Sequence, residues 1–146
     1  IKVKGVWKYL YRAVDSEGNT LDFLLTAKRD KKAALRFLKK ALKNNGFPSR
    51  ITIDKSGSNT AAIKAVNDEQ DKVIEIRRNK YKNNIVEQDH RRIKRIVRPM
   101  MEFKNFHCAQ KTLAGIELMA MLKKGQATEQ FAGDLSPAEQ FYALAA

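Results

Sequence analysis

The sequence predicts an α/β fold in which a mixed sheet is flanked by helices. Segments rich in aromatic and β-branched residues alternate with segments whose apolar residues recur at helical spacing. Their order is strand-strand-helix-strand-helix-strand-helix-helix, which puts helices against a sheet. The 146 residues, 43% of them hydrophobic, are enough for a domain with a core of its own.

Residues 7 to 14 (Trp-Lys-Tyr-Leu-Tyr-Arg-Ala-Val) read as a strand. Residues 15 to 19 form a turn in which Gly18 and Asn19 tolerate positive φ, and residues 20 to 27 return as the second strand of a hairpin. Asp30 is placed to cap a helix over 31–44, with Ala34, Leu35, Leu38, Ala41 and Leu42 on its apolar stripe. Asn44, Asn45 and Gly46 stop it, and Pro48 follows. Residues 50–54 read as a short buried strand ending in an acid, Asp54. Ser58 or Asn59 is expected to cap a helix reaching about Asn67, and residues 72–77 to form another strand. A basic, Asn-rich connection leads to a helix over 84–97, ended by Pro99. A long helix over 105–124, closed by Gly125, carries Phe106, Ala109, Leu113, Ile116, Met119 and Ala120 at helical spacing for packing. Ser136 and Pro137 open a final short helix. No internal repeat interrupts this order.

The chain carries 29 Lys plus Arg against 16 Asp plus Glu, a net charge of +13 and a pI near 10. That balance points to a polyanionic partner, nucleic acid before an anionic membrane. No apolar run approaches the ~20 residues of a membrane span, and no secretory signal pattern is present. The single cysteine, Cys108, excludes an internal disulfide framework and reads as a small buried apolar residue. The chain opens on Ile1, as a piece of a longer protein would. Residues 77–98 concentrate Arg77, Arg78, Lys80, Lys82, Arg91, Arg92, Lys94, Arg95 and Arg98 against only Glu87 and Asp89. No broad Leu/Phe/Trp face opposes them, so a membrane surface is not the expected partner.

On a helix at 100° per residue, Val86, Ile93 and Val97 make a narrow apolar stripe flanked by Ile85 and Ile96. Glu87, His90, Arg91, Lys94 and Arg98 fall on an adjoining arc. A carboxylate there can face a metal while its neighbours face phosphates; Glu87 can equally form an i,i+4 pair with Arg91. Asp54, beyond the carboxyl end of a strand, sits where α/β folds hold ligands, or it serves as a turn residue. Asp89 falls within the apolar arc and reads as a buried partner of an Arg. His90 is a phosphate contact or a half-buried face residue, and without a second ligand it makes no zinc site.

The stretch from Tyr81 to His90 with Ile93-Lys94-Arg95, the block from Trp7 to Asp15 with Thr20-Leu-Asp-Phe23, Ala33 to Leu38, Thr52 to Lys55, and Thr112 to Glu117 with Lys124-Gly-Gln126 together resemble one family, the IS-six-type (IS-twenty-six-like) bacterial insertion-sequence transposases. The resemblance runs in order over residues 1 to about 126. It implies a partial ribonuclease-H-like DDE core over 1–126, followed by a helical tail over 127–146. It further implies cleavage and joining of DNA at terminal inverted repeats, two Mg²⁺ ions (Mn²⁺ as a substitute), a homodimer, and action in the bacterial cytoplasm at the nucleoid.

By match, Asp54 would be the second Asp of the triad and Glu87 its Glu, separated by 87 − 54 = 33 residues. Lys94 would be a basic residue touching DNA near the site. His90, Arg91, Arg95, Arg98, Lys80 and Lys82 complete the expected DNA-binding set. The family's first Asp lies in an Asp-Glu-Thr-Tyr-like stretch directly before the segment matching Ile1 to Gly5, so the first, central strand is largely missing here. Asp15 and Asp22 are not natural substitutes. Alone, the chain is expected to be inactive, and the competing reading is a non-catalytic DNA-binding or dimerisation remnant.

Overall fold

The computed structural model describes residues 1–54, 56–78, 84–131 and 133–146, apart from the side chain of Thr128. The chain is α/β. It begins with a small hairpin, β1 (Lys2–Val3) and β2 (Val6–Trp7), in the register Lys2↔Trp7 and Val3↔Val6. Both turn residues have positive φ, 47° at Lys4 and 75° at Gly5, as a two-residue turn matched to strand twist requires. The sequence reading missed this hairpin because each strand is only two residues long. β3 (Tyr9–Val14) and β4 (Thr20–Thr26) form the expected longer hairpin. Its turn is held by the Asp15 carboxylate, which accepts from the backbone N–H groups of Glu17 and Asn19, each at 2.9 Å.

Helix α1 (Lys31–Asn45) starts at the expected cap: Asp30 Oδ1 accepts from the Ala33 N–H at 2.8 Å. Asp30→Ala is expected to cost about 1 kcal/mol, read as a small fall in the thermal midpoint. β5 (Arg50–Ile53) pairs in parallel with β6 (Glu75–Arg78) across α2 (Gly57–Gln70). Helix α2 begins after Ser56, earlier than expected from Ser58 or Asn59, and runs three residues past Asn67. The strand after it starts at Glu75 rather than at 72. The Asn67 side chain explains the shift: its amide donates to the Ile74 carbonyl at 3.2 Å and its oxygen accepts the Ile74 N–H at 2.9 Å. That tie makes 71–74 a link, with Asp71 left-handed at φ 48°.

Helix α3 (Asn84–Val97) has the expected bounds and passes into a 3₁₀ turn at Arg98–Met100. Helix α4 (Phe106–Lys123) is capped by Asn105, whose oxygen accepts the Cys108 N–H at 2.7 Å. Cys108 corrects an expectation, because it is exposed. The buried positions Ala109, Leu113, Glu117 and Ala120 define the inward stripe, and Cys108 lies beside it on the outward side. Helix α5 (Pro137–Ala145) carries the Ser136/Glu139 capping box and packs on α4.

Two apolar clusters stand apart. One joins Val3, Leu25, Ile93, Phe103, Ala109 and Leu113; the other joins Leu42, Ile63, Val66 and Ile74. The single mixed sheet expected from the sequence is not formed by the described residues. The strands make three separate pairs, β1–β2, β3–β4 and β5–β6. Each of β3 and β5 pairs along one edge, and all residues of both strands line one open cleft of about 2180 Å³.

Candidate active site in the open cleft

Asp54 immediately follows β5, and Glu87 sits in the first turn of α3; both line this cleft. Local chain chemistry fixes Asp54. Its Oδ1 accepts the Ser56 N–H at 3.1 Å and the Asn59 amide at 3.5 Å, an Asx-type turn leading into α2. Its Oδ2 faces Arg29 Nη2 at 3.3 Å, in a pair whose two side chains are both about half exposed. Such a pair contributes little and is easily exchanged for another cation. Glu87 is exposed and makes no ion pair among the described residues, so the pairing with Arg91 considered from spacing is not formed there.

The exposed cations Arg91, Lys94 and Arg95 line the same cleft along α3, Arg98 lines it from the 3₁₀ turn that follows, and Arg77 lines it from β6. Lys80 and Lys82 lie outside the described residues. His90 lines the cleft too, half-buried. Burial, with smaller contributions from Arg12 and Lys94, pushes its pKa down to about 4, and its Nε2 is buried without a hydrogen-bond partner. The ring is therefore neutral at pH 7 and offers phosphate no full charge. The sign of its pH effect follows. Between about pH 6.5 and 4 the unfolded chain binds a proton that the folded chain does not, so stability falls as pH falls through that window. His90→Gln is expected to flatten this slope in acid denaturation curves.

The most deeply buried charges belong to a network the sequence reading found only in part. Asp89 is, as expected, a buried partner of an Arg: Arg12 Nη2 lies 2.6 Å from its Oδ2. Arg12 also donates to Glu117 of α4, from Nε at 2.5 Å and from Nη2 at 2.8 Å. Lys124 closes the set, with Nζ 2.8 Å from Asp89 Oδ1 and 3.0 Å from Thr20 Oγ1. Two cations and two anions thus tie β3, β4, α3 and the end of α4 together. Burial alone would raise the Asp89 pKa, but the bonds from Lys124 and Arg12 outweigh it and hold the carboxyl below its usual range. Burial would likewise lower the Arg12 pKa, and Glu117 and Asp89 reverse that.

This network places Glu87. Asp89 sits two residues further along α3, and locking it inward fixes the rotation of the helix. Tyr11 is a second residue the sequence reading did not single out for the site. Its ring stacks on Phe37 at 5.6 Å, and its buried hydroxyl lines the cleft; burial is the main reason its pKa is raised. The other two acids considered are occupied. Asp15 holds its turn, and Asp22 is buried against Lys40 at 2.7 Å and Asn44 at 3.0 Å.

The donor chemistry suits a hard divalent cation. Two carboxylates face one open, water-accessible cleft, and Mg²⁺ is held by one or two protein carboxylates with retained water. No group of three or more His, Cys, Asp or Glu that could hold a metal occurs among the described residues.

Comparison with known proteins shows the family of the chain. A family model for a DDE domain, of the IS240 transposase type, matches residues 1–126. Over 139 residues the chain is 39% identical to the transposase for insertion sequence-like element IS431mec of Staphylococcus aureus (strain Mu50 / ATCC 700699), covering 91% of this chain and 59% of the relative. The same figures hold for the transposase for insertion sequence element IS257 in transposon Tn4003 of Staphylococcus aureus. An uncharacterized protein, pYV0051 of Yersinia pseudotuberculosis, is 42% identical over 66 residues, 43% of this chain and 62% of that one. No solved structure matches. The chain spans 59% of the length of the transposases it matches. With a family model covering residues 1–126, the chain belongs to the DDE domain family of insertion-sequence transposases.

Proposed function

We propose that this chain is most of the catalytic core of a DNA transposase, a ribonuclease-H-like domain over 1–126 with a helical tail over 127–146. It would cut and rejoin DNA at insertion-sequence ends. The observation that carries the reading is that Asp54 and Glu87, on separate elements, line one cleft walled by Arg91, Lys94 and Arg98.

Asp54 and Glu87 would hold divalent metal, Mg²⁺ in the cell, as two of the site's carboxylates. The bound metal would polarise phosphodiester oxygens and lower the pKa of water in in-line displacement. In cleavage, a water oxygen forms a bond to phosphorus, the P–O3′ bond breaks, and the leaving oxygen takes a proton to become a 3′-hydroxyl. In strand transfer that hydroxyl is the nucleophile. Arg91, Lys94, Arg95 and Arg98 would neutralise backbone phosphates, and neutral His90 would contribute a polar edge. Lys80 and Lys82 belong to the same proposed set by charge alone. Action as a homodimer in the bacterial cytoplasm, at the nucleoid, completes the proposal.

Binding to duplex DNA should weaken steeply with salt, and Lys94→Ala should reduce the slope of log K against log salt by about 1. The activity test is Mn²⁺- or Mg²⁺-dependent nicking of supercoiled plasmid by two proteins. One is this chain, and the other is extended at Ile1 by the family's Asp-Glu-Thr-Tyr stretch. Nicking by the extended protein alone, lost with Asp54→Asn, is the expected result. DNA binding with no nicking by either protein would overturn the catalytic reading.

A further inference from the structure

We propose that Trp7 is a stacking platform for an unpaired base, so that the protein prefers DNA carrying an unpaired strand over blunt duplex. The inference rests on the DNA-binding reading above and adds a feature of the substrate that the acids and cations alone do not supply.

The first hairpin presents the ring outward. Trp7 lies directly opposite Lys2 in the β1–β2 ladder, so the two side chains share a face. The neighbouring Val3 points the other way, into the core cluster with Phe103. Trp7 is left 64% exposed. Among the described residues its ring meets neither a second aromatic ring nor a cation. The mount is firm. The Gly5 N–H donates to Glu102 Oε2 at 2.7 Å, the Lys4 N–H to the Phe103 carbonyl at 3.0 Å, and the Phe103 N–H to the Lys2 carbonyl at 2.9 Å.

A second apolar side chain is held out nearby by a strained turn. Phe103 bridges Val3 of β1, which puts Met101, two residues earlier, close to the hairpin. Met101 has φ 63° and ψ −74°, and the Glu102 N–H donates across it to the Met100 carbonyl at 2.8 Å. This is the γ-turn of positive φ, which is rare because it is strained. Met101 is 85% exposed, so the strain secures no packing within the fold. Apolar side chains such as Met act as wedges beside unstacked bases.

Charge selects the occupant. Residues 1–8 and 98–104 contain Lys2, Lys4, Lys8, Arg98 and Lys104 against Glu102 alone, and Glu102 is taken up by Gly5. A second copy of this chain, itself at +13, meets repulsion there, whereas a polyanionic strand is attracted. Arg98 directly continues the cation row of α3, and Lys2, Trp7, Arg98 and Met101 border the cleft along which that row runs. In blunt duplex the base faces cover one another. An unpaired base offers its face to an aromatic ring whatever its identity.

Trp7 is the sole tryptophan of the chain, so its fluorescence reports on this site alone. The probes are a short blunt duplex, the same duplex with an oligothymidine 3′ overhang, and that overhang made abasic. Binding is followed by anisotropy of labelled DNA and stacking by quenching of Trp7 emission. Only the thymidine overhang should quench. Trp7→Ala should weaken binding of that DNA at least about fivefold and of blunt duplex by less than about twofold, and Trp7→Phe should keep most of the preference. Both variants should keep the thermal midpoint, since the side chain is exposed. Overhang DNA that binds without quenching overturns the proposal and leaves the DNA-binding reading standing. Equal weakening of all three DNAs by Trp7→Ala overturns it too, and DNA that does not bind at all overturns both. An emission shift with anionic phosphatidylserine vesicles but not with DNA would assign the face to a membrane, and a shift with protein concentration alone to a second copy; either result defeats the proposal. Quenching without nicking would leave the proposal intact and count against the catalytic reading only.

Discussion

In the protein extended through the first acid, Asp54→Asn or Glu87→Gln is expected to lower metal-dependent strand cleavage by at least about 10³-fold. A bound cation supplies several kcal/mol of transition-state charge stabilisation, and each 1.36 kcal/mol is a factor of ten. Both changes remove a negative charge while keeping size and hydrogen-bonding shape. Both side chains are exposed, so stability should move by less than about 0.5 kcal/mol. Activity and stability are therefore expected to separate. DNA binding should hold or tighten, because losing an anion raises the charge of a basic cleft. Parallel loss of stability and activity would instead mark these acids as structural.

The opposite pattern is expected for the buried network. Arg12→Met should destabilise the fold by about 3–5 kcal/mol, because it leaves Glu117 buried without its main partner. Glu117→Leu should cost a similar amount by leaving Arg12 Nε buried without its acceptor, with Asp89 as the remaining anion beside the guanidinium. The double variant Arg12→Met/Glu117→Leu should cost clearly less than the sum, since an apolar pair can replace a buried ion pair. The Lys124–Asp89 pair survives in that background as the remaining tie between α3 and α4. Chemical denaturation of the four proteins measures the coupling. Additive losses would show that the two residues act independently despite their 2.5 Å contact.

Much of this architecture was legible in the sequence because local signals act locally. Asp30 and the Ser136-Pro137 pair cap the helices they were expected to cap, and the long helix starts within one residue of its expected beginning at 105. Helix α3 follows from one apolar stripe and a following Pro, and Asp89 was placed correctly because a carboxylate inside that stripe needs a buried cation. What escaped was long-range. Glu117 lies 105 residues from Arg12, and nothing in its neighbourhood distinguishes it from an exposed helix acid. Cys108 was expected to be buried on residue-type preference, which carries no information about the phase of its helix. Asn67 displaced the start of β6 through side-chain bonds to Ile74 that periodicity does not register. The single sheet expected from strand order is not formed by the described residues, whose strands make three separate pairs, because strand order along the chain does not specify which edges meet. The candidate site was legible as two acids and a basic arc; that they share a cleft required the fold.

The account rests on Asp54 and Glu87 sharing a divalent cation, and paramagnetic broadening by Mn²⁺ tests this most directly. Sub-stoichiometric Mn²⁺ should broaden the amide signals around Asp54 and at the start of α3 together, and Asp54→Asn should abolish both effects. Broadening centred on other acids, such as Asp68 and Glu69, and unchanged by Asp54→Asn, would contradict it.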